Sequence, residues 1–334
     1  MDYTRECNGR VQDSCETRFL QLANRNTTSV HQRCEIVNLE IFIEQLLQYC
    51  AQAVILLSYD MELYIPNGES HEKAFGRVTH LCVAAHQDDV EIMAYHGIAE
   101  CYEQKNKGFG AIVVSDGGGS PRNGAYKNYT DAQMIEVRKQ EQKTAADLGK
   151  YSLLGLLMFP SREIKDKTND KVVNEIYKLL MQTRPEIVYT HNLADKHDTH
   201  VAVAMKTIMA IRKMPKTARP QKLLGCEVWR GLDWLCDEDK VVLDTGKNPE
   251  LGKKLIGVFE SQNNGGKRYD LATHARWVAN ATFHQSHSVD EFTHASYAMD
   301  LTPLVKDDKI DITAFMDSHL TKFADTVKIK YELF

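Results

Sequence analysis

Leu81-Cys82-Val83-Ala84-Ala85-His86-Gln87-Asp88-Asp89-Val90-Glu91 decides the fold reading. Its apolar half reads as a buried strand of a parallel sheet, where both faces are covered and the alternation of a half-exposed strand is lost. Its polar half then falls at the strand's C-terminal end, the edge at which open α/β sheets place their ligands. His86 and Asp89 are three residues apart, so a turn or first helical coil aims both at one point. An imidazole and a carboxylate converging there suit a divalent metal, zinc above all. Asp88 is left over as a candidate base. Taken alone, the stretch is equally a strand ending in a solvated loop with a capping Asp.

The rest of the chain extends the pattern. Strands are predicted at 79–85, 111–115, 153–159 and 186–190, and helices at 90–104, 131–148, 171–182 and 199–212. Thr130 with Gln133 forms a capping box before the second helix. Gly149 suits a left-handed position after it. Alternating strands and helices imply a mostly parallel sheet with right-handed crossovers, hence a Rossmann-like three-layer α/β/α fold. After residue 220 the order loosens: strands are predicted at 223–229 and 240–243, helices at 251–260 and 311–327, and a loop at 261–267.

The 334 residues are 43% hydrophobic and 26% charged, an ordinary globular composition. With 41 basic against 46 acidic residues, no basic excess marks a nucleic-acid binder. None of the eight cysteines forms a Cys-x-x-Cys, which argues against a zinc finger. Residues 1–35 are polar with no apolar core, so no secretory signal is read and a reducing cytoplasmic setting is expected. These residues are expected to be a disordered or loosely attached extension. Residues 36–58 are more apolar, but Glu40 and Glu44 interrupt them. That argues against a membrane span and predicts an amphipathic helix packed on the main domain or on a partner subunit, compatible with a homo-oligomer. Ile65-Pro66-Asn67-Gly68 is a turn signal. The domain reading is therefore an extension over 1–70 and a main domain over 71–334.

A second stretch, Tyr189-Thr190-His191-Asn192-Leu193-Ala194-Asp195-Lys196-His197-Asp198-Thr199-His200, also follows a strand and precedes a helix. In a parallel sheet it opens on the same edge as His86 and Asp89. Only one of His197 and His200 need reach a metal, and the other can face a substrate. A polar loop with a capping Asp198 accounts for one such cluster. Two clusters at equivalent strand ends favour a metal site.

His-x-Asp-Asp-x-Glu after one strand and His-x-x-His after a later one resemble the PIG-L/LmbE-like zinc-dependent N-deacetylases. Arg138-Lys139-Gln140-Glu141, with Ala145, Ala146, Leu148 and Gly149, is similar to that family's Arg-x-x-Glu helix, and Ser261-Gln262 to its Ser-Gln element. The resemblance covers about residues 75–300. It implies a hydrolase that removes acetate from the nitrogen of an amino sugar or glycoconjugate. It further implies that His86, Asp89 and His200 hold Zn2+, with Fe2+ or Co2+ as alternatives, and that Asp88 is the general base. His197 would polarise the amide carbonyl, best as a cation favoured by Asp195 or Asp198. Arg138, Asp195 and Gln262 are weaker candidates for substrate contact, with a surface ion pair as the plain reading of Arg138. Glu91 is read as orienting a ligand or capping a helix.

The chain departs from the family pattern at Gln87, where the family has Pro, and in His197-Asp198-Thr199-His200, where it has His-Pro-Asp-His. It departs again at Pro160-Ser161-Arg162, where the family has Pro-Asp. Gly117-Gly118-Gly119 lacks the residues of a P-loop or dinucleotide fingerprint and is read as a flexible loop beside the pocket. His284, His287 and His294 are read as solvated, and Trp229 and Trp234 as core or sugar-stacking residues. Two other functions fit His/Asp clusters. One is a two-metal phosphoesterase, and the other a non-catalytic metal- or sugar-binding module.

Overall fold

A computed structural model of the chain describes residues 61–264 and 266–334. The extension and the amphipathic helix expected before them lie outside these residues. Everything below belongs to one compact unit, residues 59–334. In chain order its strands are β1 (Glu62–Tyr64), β2 (Val78–Ala84), β3 (Gly108–Ser115), β4 (Leu153–Phe159), β5 (Ile187–His191), β6 (Lys222–Cys226), β7 (Lys240–Asp244) and β8 (Ala295–Asp300). The helices are α1 (His71–Arg77), α2 (Asp89–Met93), α3 (Tyr95–Cys101), α4 (Asp131–Leu148), α5 (Ser161–Lys165), α6 (Lys171–Thr183), α7 (Asp198–Lys213), α8 (Pro249–Gly257), α9 (Glu260–Asn263), α10 (Tyr269–Phe283), α11 (Pro303–Lys306) and α12 (Ile312–Tyr331).

One eight-stranded sheet runs β1-β4-β3-β2-β5-β6-β8-β7. Its centre, β4-β3-β2-β5-β6, is parallel, and β1, β8 and β7 add antiparallel edges. The mostly parallel α/β fold read from the sequence is therefore present. Leu81 and Val83 pack on one face with Val172, Ile176 and Val203 of α6 and α7. Cys82 and Ala84 pack on the other with Ile98, Ala145 and Trp277 of α3, α4 and α10. Successive strand residues thus serve opposite layers, which is why β2 and β3 are apolar apart from Thr79, His80 and Ser115.

The chain order reverses between β2 and β5. From β2 the path runs outward through β3 and β4, and from β5 it runs the other way to β6. β2 and β5 are direct neighbours, from His80 opposite Ile187 to Val83 opposite Thr190. Their C-terminal ends open the crevice that such a switch point leaves.

Local expectations hold where the signal is local. α4 spans the predicted 131–148, and its capping box is complete: Thr130 Oγ1 accepts from Gln133 N–H, and Gln133 Oε1 from Thr130 N–H. Gly149 is not left-handed, however; Lys150 takes that conformation (φ +52°). Gly149 is needed for room, because a Cβ there would fall on the Tyr151 ring. The helix predicted over 90–104 is two, parted at Ala94. Ile65-Pro66-Asn67-Gly68 is a turn, closed by Gly68 N–H donating to Ile65 O (3.0 Å), and it joins β1 to α1 within the unit. The loop expected at 261–267 begins as the short helix α9, and α10 and β8 had no expectation at all.

His80 lies on β2, buried, with Nδ1 3.0 Å from Thr79 Oγ1. Burial, with His96 and Lys107 adding, pushes its pKa down to about 4. An unfolded histidine titrates near 6.5. Between these values the unfolded chain binds the proton and the folded chain does not. The contribution is therefore present above pH 6.5 and lost as pH falls towards 4. Its size is at most roughly 3 kcal/mol. Urea unfolding of His80→Asn should show a shallower fall of stability between pH 6.5 and 4 than the parent; parallel profiles would refute this.

Candidate metal centre

The two motif stretches meet at the β2–β5 crevice. His86 Nδ1 is 3.1 Å from Asp89 Oδ2 and 3.1 Å from His200 Nε2, and His200 Nε2 is 3.3 Å from Asp89 Oδ2. Two nitrogens and a carboxylate oxygen thus form a near-equilateral triangle. Ligands at zinc–donor distances in a tetrahedral shell stand about 3.3 Å apart, so the spacing fits one small divalent ion. The charges fit as well. Burial opposes ionisation of Asp89, but His200, His191 and His86 hold its carboxyl well below the usual range. Burial likewise opposes a cation at His200, yet Asp89 and Asp195 raise its pKa to about 10. Two carboxylates flanking one imidazole create a demand for positive charge that an ion can meet.

Asp195 lies behind His200, with Oδ2 3.3 Å from His200 Nδ1. Its oxygens also accept from the N–H groups of Val228 (3.0 Å) and His197 (3.2 Å). The sequence reading gave Asp195 to the substrate or to the His197 ring. In the structure it is buried and committed to His200, the carboxylate–histidine arrangement that fixes a ligand's tautomer.

His197 is exposed and caps α7, with Nδ1 accepting from Thr199 N–H (3.3 Å). The ring proton is therefore on Nε2. Burial, with His86 and His200 adding, lowers its pKa. The cationic His197 expected from a neighbouring acid gives way to a neutral donor. Asp198 is exposed in the first turn of α7, and the cap expected of it is His197 instead.

His191 is close enough to join a cluster with Asp89 and His200, just as His86, His197 and His200 form another. Its Nε2, however, accepts the Ala85 N–H (2.8 Å), so that lone pair is taken. This acceptor role joins β5 to the end of β2, and nothing in the local sequence distinguishes His191 from its neighbours.

Asp88 sits beside the triangle in a left-handed conformation, φ +88° and ψ −31°. For a residue with a Cβ this costs of order 1–3 kcal/mol. Burial pushes its carboxyl up to about 6 while Arg138 pulls the other way. Arg138 is itself buried: Nη2 donates to Asp88 Oδ2 (3.0 Å) and to the Gln87 carbonyl, and Nη1 to Glu141 Oε2 (3.3 Å). Its guanidinium also lies over the Phe259 ring at 5.6 Å. Arg138 is thus ion-paired with an acid one turn away, but in the core rather than at the surface expected from the plain reading. Glu141 accepts from Ser261 N–H (2.7 Å) and Ser261 Oγ (2.8 Å), and buried Gln262 donates to Ser261 Oγ (3.2 Å). The Ser-Gln element therefore braces Arg138. Arg138→Met would leave two buried carboxylates without their cation and should destabilise the fold by about 3–5 kcal/mol. An unchanged urea midpoint would contradict this.

Gln87 is fully buried and donates to Ser115 O (3.2 Å). Gly117 has φ +75°, and a Cβ there would lie 2.5 Å from Gln87 Oε1. The first two residues of the Gly117-Gly118-Gly119 run are packed rather than free. Across the crevice Trp229 and Tyr269 meet edge to face, with ring centroids 6.0 Å apart. His96 Nδ1 lies 2.8 Å from Tyr189 OH, and His284, His287 and His294 join neither donor cluster. A recess of about 550 Å³ opens at the opposite edge, before the strands begin, among Arg77, Lys107, Gly108 and Ser152. There Arg77 and Lys107 are already paired with Glu69 and Glu100.

Comparison with known proteins agrees with this geometry. Residues 81–211 match the family described as PIG-L: GlcNAc-PI de-N-acetylase. No curated protein matches the chain by sequence. Among solved structures, the N,N'-diacetylchitobiose deacetylase of Pyrococcus horikoshii is 14% identical and superposes with a TM-score of 0.53 over 75% of this chain and 93% of its own. The conserved protein TT1542 of Thermus thermophilus is 17% identical, with a TM-score of 0.52 over 70% of this chain and 99% of its own. GalB, the 4-carboxy-2-hydroxymuconate hydratase of Pseudomonas putida, is 16% identical, with a TM-score of 0.52 over 67% of this chain and 96% of its own. At these identities the structures establish a shared fold. The stretch that carries both motifs and builds the cluster is thus the stretch that matches the PIG-L family.

Proposed function

We propose that this chain is a metal-dependent hydrolase that removes the acetyl group from the nitrogen of an amino sugar or its conjugate. The observation that carries the reading is the donor triangle of His86, Asp89 and His200, with Asp88 beside it, inside a stretch that matches a de-N-acetylase family. The fold alone does not carry it, since the same architecture serves a hydratase.

His86, Asp89 and His200 would hold the ion, zinc first and iron(II) or cobalt next for this donor set. When bound, such an ion supplies Lewis acidity and makes water acidic enough to be a nucleophile near neutral pH. Asp88 takes the proton from the attacking water and passes it to the amine nitrogen as the C–N bond breaks. One proton moves twice, from water to Asp88 to nitrogen, and the free amine leaves with acetic acid, which ionises to acetate at neutral pH by releasing the other water proton. Arg138 keeps the Asp88 carboxylate in place during both transfers. His197, through Nε2–H, donates to the amide oxygen as negative charge builds there. Asp195 holds the His200 ring.

A two-metal phosphoesterase needs a second complete ligand set. The Ala85 N–H on His191 Nε2 argues against one, because Asp89 and His200 are then shared with no third donor. No described helix is long and apolar enough to cross a membrane.

The test joins metal analysis of the purified chain to amine release from a panel of N-acetyl sugars, each in zinc, iron(II) and cobalt. One ion per chain and release from at least one sugar are expected. Full metal loading with no release from any would sink the reading, and two ions with cleavage of p-nitrophenyl phosphate would replace it.

A further inference from the structure

Asp88 holds a conformation that persists only where its surroundings over-determine it. Arg138 accounts for the carboxylate and for the carbonyl before it, and the Ile92 N–H accounts for the Asp88 carbonyl (3.2 Å). The remaining group is the Asp88 N–H, which donates to Gln142 Oε1 (3.2 Å). An amide side chain has two unlike ends, and something must decide which faces Asp88. Gln142 Nε2 donates to Glu91 Oε1 (2.8 Å), and the same oxygen accepts from Tyr151 OH (2.7 Å). With Glu91 Oε1 as the acceptor for both, the Gln142 amide must present its NH2 to Glu91 and its oxygen to Asp88. Tyr151, Glu91 and Gln142 are at most 1% exposed. They come from the entry to β4, from α2 and from α4, three elements that meet beneath the crevice.

We propose that Tyr151, Glu91 and Gln142 form a buried positioning relay that fixes the Asp88 peptide, and with it the direction of the Asp88 carboxylate. This rests on the reading of Asp88 as the base. Gln142 makes the contact, while Glu91 and Tyr151 set which way its amide points. None of the three touches the reacting atoms. The relay also gives Glu91, the last residue of the opening motif, a part that neither metal binding nor helix capping explains.

Gln142→Leu keeps most of the side chain's volume and removes both polar ends. The full-length chain is reconstituted with zinc, and N-acetylglucosamine is the probe substrate. The expected result is a kcat lower by about 10- to 100-fold, with KM within about two-fold and metal content unchanged. On an Asp88→Asn background the same substitution should cost nothing further. In crystals of Gln142→Leu, Asp88 should leave the positive-φ region. Glu91→Gln, which keeps one oxygen for both donors, should stay within about three-fold of the parent, whereas Glu91→Leu should behave as Gln142→Leu. A parent-like kcat in Gln142→Leu, an equal loss on top of Asp88→Asn, or Asp88 unmoved in the crystals overturns the relay. If Gln142→Leu does not fold, Tyr151→Phe reads the same split between kcat and KM, and an unchanged kcat there overturns the proposal. A parent chain that hydrolyses no panel sugar removes the function while the crystal arm still decides the positioning.

Discussion

Asp88→Asn should leave the metal in place and slow amide hydrolysis by about 10²- to 10⁴-fold, the span over which a positioned general base acts. The substitution changes little else. Asn is among the residues that best tolerate positive φ, so the strained peptide is kept. Arg138 retains the Gln87 carbonyl and Glu141, so it is not left alone in the core. The triangle of His86, Asp89 and His200 does not include Asp88, so the ion count should not move. What is lost is a carboxylate able to take a proton from water and return it to nitrogen. Metal content by mass spectrometry and kcat on the best panel sugar check this together. Full activity in Asp88→Asn assigns the base elsewhere, and loss of the ion places Asp88 among the ligands.

His200→Ala should abolish metal retention, from about one ion per chain to less than about a tenth after dialysis. It removes one corner of the triangle and also the group that faces both Asp89 and Asp195. Those two carboxylates then remain buried without the imidazole between them. His191→Ala is the control. Its Nε2 is occupied by the Ala85 N–H, so this substitution should cost stability through the lost β5-to-β2 bond while the ion stays. If His191→Ala emptied the site as His200→Ala does, the ligands would be the other cluster, Asp89, His191 and His200. Asp195→Asn should fall between, weakening metal affinity by about 10- to 100-fold by loosening the His200 ring.

Much of the architecture was legible because it rests on local chemistry. Apolar runs mark β2 to β5, and the Thr130–Gln133 box marks the start of α4. α10 and β8 were not legible. α10 buries only Thr273, Trp277 and Ala281 along one narrow line, and its other positions give no periodic stripe. β8 closes the sheet antiparallel between β6 and β7, a placement set by pairing rather than by its own composition.

The sequence by itself determined that His86 and Asp89 stand at one strand end and His200 at another. Spacing of three residues and strand–helix alternation are short-range properties, and a parallel sheet then brings the two ends to one edge. Only the tertiary structure decided how the acids and bases are paired. Arg138 turns inward to Asp88 across fifty residues, Asp195 goes to His200 rather than His197, and the Ala85 N–H takes the His191 Nε2 lone pair. The reason is physical. A buried charge or lone pair must be satisfied by whatever packing brings beside it, and that neighbour is chosen by the whole fold, not by residues nearby in the chain.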